Sequence, residues 1–151
     1  MPADAIGNPQ LLEAMTAVAK EDSPRTRRTL YRTILDSYLV IPTPELPANV
    51  RPGKQILEHS IDMHVLGIPD SNGRMVTPVF TDEEALREWN PHIEWFGMRA
   101  TDFLRLVLAT PAEQIVFNPY DGSRKPTRPS ARLSREEIEA LATRKMPGQP
   151  N

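Results

Sequence analysis

The sequence contains no cysteine. That excludes disulfide staples, thiolate nucleophiles, zinc knuckles and iron–sulfur clusters. It also has no uninterrupted apolar run approaching the roughly 20 residues that cross a bilayer as a helix. Its first ten residues, MPADAIGNPQ, lack the basic-then-apolar order of a secretory leader. A cytoplasmic protein is expected. The formal net charge is −2, which gives no whole-molecule argument for a nucleic acid or an anionic membrane as partner. The seven glycines are scattered, so neither Gly-x-Gly-x-x-Gly nor a P-loop is present. No serine sits in a glycine-flanked elbow after a strand. These absences predict a non-enzymatic protein without cofactor or metal.

Proline is in excess. There are 16 in 151 residues, about twice average usage. Most fall at first-turn positions or in connections, where they punctuate the chain. The hydrophobic fraction of 39% and charged fraction of 25% suit one core at this length. We read one domain over residues 8–143, with short tails at 1–7 and 144–151.

Asn8-Pro9 predicts a helix start, with Asn as N-cap and Pro at the next position. Leu11, Leu12, Met15, Val18 and Ala19 recur at helical spacing. Ser23-Pro24 repeats the signal before Leu30, Tyr31, Ile34 and Leu35. Tyr38 to Ile41 reads as a buried strand ended by Pro42. After a Pro-rich connection, His59 to Leu66 alternates in polarity and predicts a strand. Asp70 to Gly73 is a turn signal, with Asn-Gly favouring positive φ, and Met75 to Phe80 is the hairpin partner. Pro78 places that partner at an edge or a bulge and argues against dimerisation through it.

Thr81 and Glu84 form a predicted capping box for a helix through Trp89, stopped by Asn90-Pro91. A helix over Ala100–Ala109 and a strand Ile115-Val116-Phe117 follow. Residues 120–133 read as a basic, turn-rich loop. Ser134 and Glu137 form a second capping box opening the last helix. The order is ααβ–ββ–αα–β–α, which predicts an α+β fold: a small mixed sheet of about four strands packed by helices.

These motifs carry a resemblance. Asn8, Leu11 and Leu12, then Leu30-Tyr31 and Leu39 to Pro42, make its first half. Val79 to Glu84, Trp89, Phe103-Leu104, Ile115 to Pro119 and Ser134 to Leu141 make its second. In this order and spacing they resemble the N-terminal domain of the SseB family, named for enhanced serine sensitivity. The most specific pieces are the Phe80–Glu84 junction and the Asn118-Pro119 corner. The resemblance implies an α+β domain with no assigned catalytic residues. It implies a bacterial setting, and the family name is shared with a type III secretion translocon component. Longer members add a C-terminal domain, which this chain is expected to lack. Another protein is the implied partner.

Several groups of residues are candidates for binding. Trp89, His92, Trp95 and Phe96 make the densest aromatic cluster, placed by Asn90-Pro91 at a turn between helices. They suit interface anchors or a cap on the core. Arg25, Arg27, Arg28 and Arg32 crowd the second helix from its start, where cations oppose the helix dipole. They suit an anionic partner, unless Glu21, Asp22 and Asp36 neutralise them. Asp62 and His64 share one strand face and offer a small-ligand or acid/base site, though two such groups do not complete a metal site. Arg124, Lys125, Arg128 and Arg132 make the 120–133 loop basic. With only Tyr120 nearby, it lacks the aromatic platforms of a nucleic-acid binder.

Overall fold

The computed structural model describes residues 7–43, 56–57, 65–119 and 128–143. Helices α1 (Pro9–Lys20) and α2 (Pro24–Leu35) lead into strand β1 (Tyr38–Thr43). Short strands β2 (Ile56–Leu57) and β3 (Ile68–Pro69) precede β4 (Met75–Val79) and α3 (Glu83–Trp89). Then come β5 (Glu94–Arg99), α4 (Ala100–Leu108), β6 (Gln114–Phe117), β7 (Ala131–Ser134) and α5 (Arg135–Ala142).

The fold is α+β, as the sequence predicts, but with more strand. One sheet has the order β1-β5-β2 and the other β3-β4-β6-β7. The second sheet is mixed, with β4 parallel to β6 and both outer pairs antiparallel. An antiparallel bridge between Val40 and Phe80 joins the two sheets.

Strand alternation divides the core in two. Leu39, Ile41, Phe96, Met98 and Val79 pack on one side with residues of α1, α2, α4 and α5. Val40, Trp95 and Phe80 point to the other side, where they meet Ala85 and Leu86 of α3. Four helices therefore cover one face, and α3 covers part of the other.

Two strands differ from expectation. Residues 94–99 form β5, the middle strand of the first sheet, where the sequence predicts a turn between helices. Trp95, Phe96 and Met98 are all buried, so both faces of β5 are apolar and no alternation marks it. Residues 131–134 form β7, which takes up the end of the expected 120–133 loop and the expected N-cap Ser134. Only Leu133 of that strand is fully buried, so its apolar signal is a single residue.

The hairpin forms, but β4 pairs with Ile68 and Pro69. The predicted strand over residues 59–66 lies almost wholly outside the described residues. In the turn, Gly73 takes positive φ (79°) and donates to the Asp70 carbonyl at 3.0 Å. Pro78 sits in the interior of the second sheet, paired with Val116. It is tolerated because β3 reaches only Met75 and Val76, so among the described residues no antiparallel strand pairs with β4 at Pro78.

Helix starts follow the sequence with two changes. Ser23 and Ser134 each close a capping box, with Thr26 and Glu137 respectively. The N-cap of α3 is Asp82 rather than Thr81; its carboxylate accepts from the Ala85 amide at 2.8 Å. Asn8 does not cap α1 with its side chain. Arg135 closes the other end of α4, donating to the carbonyls of Leu108, Thr110 and Ala112, each at 2.8 Å.

Candidate functional site

Strands β4 and β6 run parallel, so their carboxyl ends lie side by side. In sheets with parallel strands, that end is where loops gather functional groups. Here β4 ends at Phe80-Thr81-Asp82 and β6 at Asn118-Pro119. Asn118 is the only described non-glycine residue with positive φ (51°). Asparagine tolerates that conformation better than other side chains.

The turn aims the Asn118 amide back at β4. Its Oδ1 accepts from the Thr81 backbone N–H at 3.1 Å. Its Nδ2 donates to Thr81 Oγ1 at 3.1 Å and to the Pro129 carbonyl at 3.2 Å. Thr81 Oγ1 in turn donates to Asp82 Oδ2 at 2.9 Å. Asn8 arrives from the start of α1 and donates to the carbonyls of Thr81 at 2.6 Å and Tyr38 at 2.8 Å. Ser130 donates to the Asn118 carbonyl at 2.6 Å. Four stretches far apart in sequence are thus held at one point by side-chain amides and hydroxyls.

Arg128 lies over this corner, facing α3. Its Nε donates to Asp82 at 3.0 Å, Nη2 to Glu84 at 2.5 Å and Nη1 to Glu88 at 3.4 Å. The side chain is 19% exposed and that of Asp82 13%, whereas Glu84 is 78% exposed. Burial alone would lower the guanidinium's pKa. The charge of Asp82 and the bonds to Glu84 and Asp82 outweigh burial and raise it. Arg128 therefore does not contribute to a free basic patch. A groove of about 370 Å³ opens beside it, lined by Gly7, Asn8, Pro9, Leu12, Asp82, Glu83, Glu84 and Arg128.

A family model for the SseB protein N-terminal domain matches residues 11–140. The chain belongs to that family. Neither a curated protein nor a solved structure matches it. In this SseB N-terminal domain, the two motif pieces that are most specific in the sequence, Phe80–Glu84 and Asn118-Pro119, meet at the corner. Asn8, a third quoted piece, joins them. Their types were legible in the sequence; their meeting was not, because 37 positions separate Thr81 from Asn118. The role of Arg128 had no sequence signal beyond being one cation among several.

The other candidate groups fare differently. Trp95 and Phe96 are 3% and 0% exposed, on opposite faces of β5, so neither is a surface anchor. Trp95 Nε1 donates to Glu83 at 3.1 Å, and Phe80 and Trp89 rings pack with centroids 5.4 Å apart. Trp89 is half-buried and His92 exposed. Asp62 and His64 lie outside the described residues, as do Arg124 and Lys125. Among the described residues no three His, Asp or Glu side chains are grouped to hold a metal. No described helix is long and apolar enough to cross a membrane.

The arginines of α2 separate into one and three. Arg27 forms a forked pair with Asp22 at 2.7 and 2.8 Å and reaches Glu137 of α5 at 3.4 Å. Glu137 also accepts from the Tyr31 hydroxyl at 2.5 Å. Burial, then the bond to Glu137, push the Tyr31 phenol up to about 12. The folded state thus holds this proton more tightly than the unfolded chain does. The stabilisation is complete below the ordinary tyrosine value of about 10 and is lost as pH rises towards 12. In an absorbance titration, one of the three tyrosines should ionise late, and that late component should vanish in Tyr31→Phe.

Proposed function

We propose that this SseB N-terminal domain is a non-enzymatic module that acts by contact with another protein, and that the groove beside Arg128 is its contact surface. The proposal includes a cytoplasmic, bacterial setting and the link to serine sensitivity carried by the family name.

The observation that supports it is how the polar groups beneath the groove are engaged. General acid–base or nucleophilic catalysis requires a side chain whose proton or lone pair can reach a substrate. Asp82 instead accepts from the Ala85 amide, the Thr81 hydroxyl and Arg128. Asn118 and Asn8 hold backbone. The groove rim offers apolar Pro9 and Leu12 beside the exposed carboxylate of Glu84, a mixture suited to a polypeptide.

The test begins with capture of partners by the wild-type domain, followed by titration of the purified partner. Leu12→Ser, with a melting temperature within a few degrees of wild type, should weaken binding at least about tenfold. Undiminished affinity would remove the groove from consideration. Thermal stabilisation by an amino acid, nucleotide or divalent metal, with no protein partner found, would favour a small-ligand protein instead.

A further inference from the structure

Helix α2 carries an exposed cationic stripe that the fold does not use. Taking 100° per residue, Arg25, Arg28 and Arg32 fall within a sector of about 60°. All three are exposed. The buried residues Leu30, Tyr31 and Ile34 lie on the other side of the helix. Arg27 sits on that inner side, which is why it reaches Glu137. The nearby acids do not neutralise the stripe. Asp22 is engaged by Arg27, and neither Glu21 nor Asp36 forms an ion pair with Arg25, Arg28 or Arg32. Arg25 also lies in the first turn, where no acidic residue accompanies it and a cation opposes the helix dipole.

The geometry points to a docking surface for an acidic helical segment of another protein. The three guanidinium groups repeat at i, i+3 and i+7, spanning about 10 Å along the axis. Carboxylates at the same spacing on a second helix would face them in register, and arginine forms forked pairs with carboxylates. The stripe fits other polyanions less well. Thr29 is an exposed neighbour on its flank, and α2 exposes no aromatic or large apolar side chain, its one exposed apolar residue being Pro24 at the first position. A helix that settles into a lipid interface needs such an apolar face, and single-stranded nucleic acid needs aromatic platforms. None of the three arginines lines the groove beside Arg128, so this inference does not depend on that reading.

The probe is a fluorescent, alanine-rich helical peptide with glutamates at i, i+3 and i+7, compared with its glutamine counterpart. The intact domain should bind the glutamate peptide at least about tenfold more tightly, with affinity falling as salt rises. The triple variant Arg25→Gln, Arg28→Gln, Arg32→Gln should lose that preference while keeping the wild-type melting temperature. A triple Arg→Glu variant should bind the matching lysine peptide instead. Equal affinity for the glutamate and glutamine peptides would overturn the proposal. So would tighter binding to phosphatidylserine vesicles or to a single-stranded oligonucleotide, or full retention of the preference by the triple glutamine variant.

Discussion

Trp95→Ala should destabilise the domain by about 3–5 kcal/mol, the range for removing a buried aromatic. Trp95 is 3% exposed and belongs to the small cluster beneath α3. Among the described residues, its other buried members are Val40, Phe80, Ala85 and Leu86, with Trp89 and Ile93 packed against them. A cavity there removes a large part of the apolar contact beneath α3. The variant also removes the indole that donates to Glu83. Because α3 supplies Glu84 and Glu88, and Asp82 caps it, loosening this helix should release Arg128 as well. Urea denaturation followed by circular dichroism reads the loss, which is a large share of the 5–15 kcal/mol typical of a domain. Trp89→Ala should cost only about 1 kcal/mol, since Trp89 is half-buried at the edge of the cluster. Unchanged stability in Trp95→Ala would contradict its place in the core.

The second large effect is expected at the corner. Asn118→Ala should cost roughly 3 kcal/mol through two separable causes. Thr81 is fully buried, and its backbone N–H would lose its acceptor, worth about 1–3 kcal/mol. Alanine would also occupy a left-handed conformation at φ 51°, costing about 1–2 kcal/mol. Asn118→Gly removes the side-chain bonds but not the conformational freedom, so it should recover about 1 kcal/mol relative to alanine. Equal stability of the two variants would show that backbone strain plays no part. Neither replacement restores the tie to the Pro129 carbonyl. Both should therefore increase proteolytic cleavage near residue 129 under native conditions.

The parts of this fold visible in the sequence are those governed by neighbours. Ser134 and Glu137 meet across one helical turn, so three residues suffice to identify the box. Asn8-Pro9 and Ser23-Pro24 mark helix starts by the same local rule, although the Asn8 amide turns to Tyr38 and Thr81 rather than to its own helix. The hidden parts depend on distant chain. β5 reads as a run of aromatics because both its faces are covered, one by α3 and one by the main core. Aromatics covered in this way are indistinguishable in sequence from aromatics displayed on a turn. The pairing of Arg128 with Asp82, 46 positions away, leaves no periodic trace. The arginines of α2 were visible as a group. Their division into one paired and three exposed residues required knowing that α5 lies against the inner side of the helix.

Among the described residues, one backbone bridge joins the two sheets, beside the apolar contacts they share in the main core. Val40 N–H donates to the Phe80 carbonyl at 3.0 Å, and Phe80 N–H donates to the Val40 carbonyl at 2.9 Å. Both residues are fully buried. Solvent reaches these amides only if α3 lifts away or the sheets part. Their hydrogen-exchange rates therefore report the cooperativity of the whole molecule. If they exchange as slowly as the amides of β6, the halves on either side of this seam open as one unit. The seam then transmits a disturbance under α3 to the four-helix side, although one described residue pair makes its backbone bonds.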